Sequence, residues 1–244
     1  MSEKTAYAPT SAGAVAAIAQ LTFTRFLRSK VIFVAGVLAM LPLIPLLVAS
    51  SRSDDVARNW EGFIGVCAFV QLLVASLLTA PVIAEEIDDK TYAYLWSRPI
   101  PRWTILAGKL LVGCLVAIAM MAVSLVLGSQ IAHVGDPVTI AKALVGMALG
   151  VVATGCIASG FGTLLPKHPL AVAISYFLVL DFGIGAMPFA AARLSVMHNV
   201  IAISGLGSDA NTVVTSVLWL AGLGVFWTTI TLRRLVRKEL STGS

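Results

Sequence analysis

The chain has 244 residues, of which 58% are hydrophobic and 12% charged, with a net charge of +5 and a mean hydropathy of +0.93. Soluble domains carry roughly 25% charged residues, so this composition excludes an ordinary water-soluble domain and defines an integral membrane protein. The three cysteines, Cys67, Cys114 and Cys156, are odd in number, far apart and each set in an apolar run. That excludes a disulfide framework and zinc-ligand spacing, and they read as small apolar side chains.

The N-terminus up to about Ser11 mixes Ser, Thr and Pro without periodicity and reads as loose chain. The first 30 residues run polar, alanine-rich and then basic, with no short apolar segment before a small-residue cleavage site, so insertion of the whole chain is expected. Residues 14–30 are expected to form a helix. Val15, Ile18, Ala19, Phe23 and Phe26 fall on an arc of roughly 140° with Arg25 and Arg28 to one side, as in a helix resting in the membrane interface.

Six nearly uncharged runs follow: Val31–Ala49, Gly62–Ala84, Leu110–Ala132, Ala143–Pro166, Pro169–Ala192 and Asn211–Leu232. Each is close to the ~20 residues with which a helix crosses ~30 Å of hydrocarbon. Helices are expected because they satisfy their own backbone groups in lipid, and no barrel-type alternation is present. Thirteen basic residues collect on one side, from Lys4 through Lys90 and Arg102 to Lys238, against Arg52, Arg58, Lys142 and Arg193 on the other. That asymmetry places both termini in the cytoplasm. With no repeat of 20 to 50 residues and no low-complexity linker, a single domain spanning 1–244 is expected.

In the fourth run Gly146, Gly150, Thr154, Ala158 and Gly162 recur every fourth residue and leave a groove for close helix approach. The stripe is a helix-packing seam or, alternatively, a protomer interface or path lining. Asp181 is the one acid well inside an apolar run. At 1.5 Å per residue it lies roughly 18 Å beyond Pro169, where a carboxylate marks a cavity, a partner group or a translocation path. Otherwise the fifth span ends early and Asp181 opens an irregular segment rich in Gly183, Gly185, Pro188, Gly205 and Gly207.

The stretch Glu85 to Lys109 is a polar island between the second and third runs. Glu85, Glu86, Asp88 and Asp89 suit the positive end of a helix dipole, with Arg98 and Arg102 at or past its other end. Glu86 and Lys90 have favourable i, i+4 spacing. Ile87, Thr91, Tyr94, Leu95 and Arg98 share a stripe, and Pro99 and Pro101 stop the helix. A short amphipathic cytoplasmic helix, a stiff break and a re-entry past Trp103 and Lys109 are expected.

These residues resemble the cytoplasmic segment of the type-2 ATP-binding-cassette exporter permeases, in which an acidic helix leads through Leu-x-Ser/Arg-Pro-x-x-Arg to Gly-Lys at the head of the third span. The matching residues are Glu85, Glu86, Thr91, Leu95, Ser97, Arg98, Pro99, Ile100, Arg102, Gly108 and Lys109, while Lys90 stands where the family usually has Gly. Short permeases tied to gliding motility and to nitrous-oxide-reductase maturation look similar in length and layout. The resemblance implies an all-α, six-span permease of the type V exporter kind, dimeric with itself or a close paralogue, coupled through residues 85–102 to two copies of a cytosolic ATPase. It implies coupling roles for Glu85, Glu86, Asp89, Lys90, Tyr94, Leu95, Arg98, Pro99, Arg102 and Lys109, a bracing role for helix 14–30, and short helices near the outer mouth within 183–210. ATP and Mg are expected on the ATPase, and no cofactor on this chain. The only Gly-Lys, Gly108-Lys109, has no phosphate-binding loop before it. Membrane lipid is an expected partner and nucleic acid is not; the expected location is the cytoplasmic membrane of a bacterium or archaeon.

The remaining polar residues carry less. His133, Asp136, Met197, His198 and Asp209 all fall on the outer side, but no spacing links them as metal ligands. Arg52, Asp54, Asp55, Arg58 and Glu61 read as a solvated turn. The rival readings are a non-transporting mechanotransmitter or scaffold coupled to the same ATPase, and an intramembrane protease. The second rests on Glu85-Glu86 and a basic residue at 90, but Lys90 replaces the required Arg, and His133 and His198 lie across ~30 Å of membrane. No catalytic or metal residue is expected.

Overall fold

The computed structural model describes residues 11–53, 55–81, 102–185, 190–205 and 210–242, and among them every regular element is helical. In chain order these are α1 (Ser11–Arg28), α2 (Lys30–Met40), α3 (Leu43–Ser50), α4 (Val56–Thr79), α5 (Arg102–Ile131), α6 (Pro137–Leu164), α7 (Pro169–Tyr176), a π turn (Phe177–Asp181), α8 (Phe182–Gly185), a 3-10 turn (Ala190–Leu194), α9 (Val196–Ile203) and α10 (Ala210–Thr242). Five helical stretches are long and apolar enough to cross a membrane: Lys30–Ser50, Val56–Thr79, Trp103–Ile131, Pro137–Leu164 and Asn211–Leu235. A shorter apolar stretch, Pro169–Gly185, lies fifth in chain order and is here called the fifth passage. The chain is a multi-pass, all-α membrane protein.

Local chemistry explains where these elements start and break. Ser29 separates α1 from α2 and its side chain accepts from the Val31 amide at 3.2 Å. The first run, expected as one helix, is two: Pro42 and Pro45 supply no backbone donor, and the Leu41 and Ile44 amides instead reach back three residues, to Leu38 and Leu41, at 3.1 Å each. Helix α4 begins earlier than expected because Asp55 caps it, accepting from the Arg58 amide at 3.1 Å. Arg58 and Glu61 thus lie in its first turns rather than in a connecting turn. Asp136 caps α6 in the same way, accepting from Val138 at 3.1 Å and Thr139 at 3.0 Å, with Pro137 at the first helical position.

Helix α6 is the centre of the bundle, and its small residues set the distances to its neighbours. A Cβ on Gly162 would strike the Ala80 carbonyl oxygen just past α4. One on Gly155 would come within 2.8 Å of Cys114 Sγ on α5 and 3.3 Å of Thr79. One on Gly160 would come within 2.6 Å of the Trp227 ring on α10. Backbones therefore approach closely where glycine removes the obstacle. Phe161, Tyr176 and Trp227 fill the space beside this crossing, with ring centroids 4.7–6.3 Å apart. On α5, Gly128 makes room for the ring of Phe63. Helices α2, α3 and α10 leave Phe33, Val37, Ile44, Leu218, Val225 and Phe226 exposed, as lipid-facing surfaces do.

Helix α1 lies across one end of the bundle, here called proximal. Its apolar arc does not simply face lipid. Val15 and Ile18 press on Gly108 of α5, where a Cβ would be 3.0 Å from the Val15 carbonyl oxygen, and Phe26 packs against Leu106 with Leu232 and Leu235. Leu21, Phe23 and Leu27 remain exposed for the membrane.

The fifth passage departs furthest from a simple rod. Helix α7 widens at Phe177–Asp181, where the Phe182 amide bonds the Phe177 carbonyl five residues back; α8 is described as far as Gly185, and Ala190–Leu194 is a 3-10 turn rather than a continued α-helix. Helix α9 packs along α6, where a Cβ on Gly146 would meet the Val200 carbonyl oxygen and Ser204 Oγ at 3.0 Å, and one on Gly150 would strike the Val200 side chain. Gly205, with φ of +83° in the region that favours glycine, follows α9 and lies beside Lys142. Helix α10 then continues past Leu232 and carries Arg233 and Arg234 on its proximal end.

Candidate functional site

Of the residues expected to couple to an ATPase, Glu85, Glu86, Asp89, Lys90, Tyr94, Leu95, Arg98 and Pro99 lie outside the described residues. Arg102 opens α5 and Lys109 lies two turns further on, half-buried beside α1. What the structure does describe is the pair of roots from which the segment 82–101 leaves. One is the end of α4, where Thr79 and Ala80 are fully buried and lie against Gly155 and Gly162 of α6. The other is the first two turns of α5, where Thr104, Ile105 and Leu106 are buried and Gly108 is clasped by α1. Both roots are seated on close contacts, the first against α6 and the second against α1.

The stripe on α6 is filled from within the chain. Gly146 and Gly150 receive α9, Thr154 and Ala158 are fully buried, and Gly162 receives Ala80 and Pro169. Sequence reasoning found the stripe but not Gln71 of α4, which lies against Gly150. Gln71 is fully buried, and neither amide atom has a hydrogen-bond partner among the described residues. A glutamine alone in an apolar run was its available signal.

Asp181 ends the π turn and is 3% exposed. Its Oδ1 accepts from the Val196 amide at 2.6 Å, and its Oδ2 accepts from the Met197 amide and from Ser195 Oγ, both at 3.1 Å. Ser195 Oγ in turn accepts from the His198 amide at 3.1 Å, and the Asn199 amide reaches the Ser195 carbonyl at 3.4 Å. That last bond is the first within the helix, and with the Ser195 amide on the Ala192 carbonyl at 3.0 Å the four otherwise free amides, of Ser195, Val196, Met197 and His198, are satisfied; the carboxylate sits at the positive end of the helix. The π turn sets this up, because one extra residue rotates the rest of the passage by about 100°. Asn199 closes the site from the other side, donating at 2.7 Å to the Arg193 and Ser195 carbonyls. The cap was readable as Ser195 preceding an apolar run; its acceptor fourteen residues upstream was not. Met197 and His198 belong to α9, whereas Asp136 caps α6.

Apolar helices packed around a small-residue hub, five of them long enough to span a bilayer, define a membrane-embedded helical bundle. The family model described as ABC-2 family transporter protein matches residues 20–178, well over half of the chain, and the chain belongs to that family. It is thus a permease subunit of the ATP-binding-cassette type. No curated protein sequence matches it.

Proposed function

We propose that this permease couples ATP hydrolysis by two copies of a separate cytosolic ATPase to outward movement of substrate through a dimer of such chains. The observation that carries the reading is the seating of the two roots of segment 82–101, one on α6 and one on α1. Closure of the ATPase on ATP and Mg presses the segment through Glu85, Glu86, Asp89, Lys90, Tyr94, Leu95 and Arg98. Pro99, Arg102 and Lys109 carry the push into α5, and α4 carries it into the α6 seam. A lever needs stiff attachments, and close backbone packing is stiff because it has no side chain to deflect. Asp181 belongs to this path as the post that holds α9 against α6. The membrane is the cytoplasmic membrane, with α1 and segment 82–101 on its inner side.

The test is co-purification of the chain with a co-expressed ATP-binding-cassette ATPase from the same source, followed by turnover of the complex in lipid nanodiscs. Glu86→Ala and Arg98→Ala are expected to weaken ATPase binding or substrate-stimulated hydrolysis at least severalfold while the folded chain persists. Unchanged binding and turnover in both variants would remove the coupling role from this segment.

A further inference from the structure

We propose that Arg193 lines a water-containing path in the membrane and binds the anionic head of an amphiphilic substrate there; the inference rests on the permease reading and names its substrate class. The first observation is depth. Asp181 lies twelve residues beyond Pro169, about 18 Å along the fifth passage, within a hydrocarbon layer of about 30 Å. Ser195 and Val196 are hydrogen-bonded to its carboxylate, so the start of α9 sits at the same level. The opposite side of the bundle agrees: Val200 of α9 presses on Gly150, eight residues and about 12 Å inward of Lys142. Two residues before Ser195, Arg193 cannot stand more than roughly 7 Å from it. The bond from Asn199 Nδ2 to the Arg193 carbonyl, 2.7 Å long, ties it beside buried α9.

The second observation is exposure. Arg193 is exposed at the protein surface, and among the described residues its guanidinium has no ion pair or side-chain hydrogen bond. A guanidinium without a partner among the described residues is costly against lipid tails at this depth, and water or an anion beside it removes that cost. Its surroundings are apolar. Leu194 beside it is 46% exposed, and Phe182 of α8, against which the 3-10 turn packs, is 51% exposed. A guanidinium offers paired donors to a carboxylate, phosphate or sulfonate, and the adjoining apolar surface suits a tail. Neither a neutral apolar compound nor a cation meets both features.

The test uses the full chain with its ATPase in phosphatidylcholine nanodiscs. Dodecyl phosphate is expected to bind about tenfold more tightly than dodecanol, the size of one charge-assisted contact. Arg193→Gln is expected to abolish that preference and Arg193→Lys to keep part of it. Adding phosphatidylglycerol separates the sources: displacement of the probe assigns the site to a lipid headgroup, and retention assigns it to a free amphiphile. An Arg193→Cys chain should react with a charged, membrane-impermeant thiosulfonate, because Cys67, Cys114 and Cys156 are buried and a short side chain cannot snorkel to the headgroups. An Arg193→Cys chain that fails to react, or an anion preference that survives in Arg193→Gln, would overturn the proposal. Binding is read without ATP, so this failure is distinct from failure of ATPase coupling, which would leave the binding data standing.

Discussion

Replacing Asp181 by alanine takes away the acceptor of two backbone amides and one hydroxyl at once. An unmet buried donor costs about 1–3 kcal/mol, and three in one place are enough to release the start of α9 from the π turn. The expected order of thermal stability in detergent is wild type, then Asp181→Asn, then Asp181→Ala, because the asparagine oxygen still accepts. A Ser195→Ala chain should fall between wild type and Asp181→Ala, since it loses the cap on His198 but leaves the two amide bonds to Asp181. Equal unfolding temperatures for wild type and Asp181→Ala would show that α9 is held by packing alone. Asp181 was visible in the sequence as an acid in an apolar run, and the reason it is tolerated was not. That reason depends on a turn wound one residue wide, for which Phe177–Asp181 carries no composition signal.

Among the elements, α6 was the most legible and the fifth passage the least. Small residues every fourth position announce a seam because helix geometry brings them to one face. They do not say which neighbour fills it, and the occupants, α9 and the end of α4, come from distant parts of the chain. The break between α2 and α3 was present in the sequence as Pro42 and Pro45, but hydropathy alone joined the two halves. The glycines also separate tight seats from loose ones. Gly162→Val must displace the backbone of Ala80, an overpacking that typically costs about 1–3 kcal/mol, and the chain is expected to lose stability and to shift the root of segment 82–101. Gly36→Ala meets nothing within 4 Å and gains helix propensity, so its unfolding temperature should stay level or rise slightly. A Gly162→Val chain as stable as wild type would mean that this contact is not tight in the membrane.

For the whole molecule, composition and charge sufficed to define a multi-span helical bundle, because a bilayer dictates span length and forbids unpaired backbone. The order of crossings also follows from the fold. The first span leaves the α1 side and α4 returns to it, so position 20, the end of α4 and the start of α5 share one side while positions 53 and 133 share the other. Single cysteines at Gln20 and Tyr92 should therefore label from the same face of sealed vesicles, and one at Ser53 from the opposite face. Labelling of Tyr92→Cys and Ser53→Cys from one face would dismantle this crossing order.

The widened turn in the fifth passage has a consequence for how such chains tolerate length changes. A deletion of one residue between Phe177 and Asp181 would restore ordinary winding and swing the carboxylate about a quarter-turn off α9. A deletion in the evenly wound α5 instead shifts a long rod against all its neighbours together. The molecule thus carries one place where counting residues matters more than which residues they are, and the phase of that count decides whether a half-length helix stands upright in the membrane.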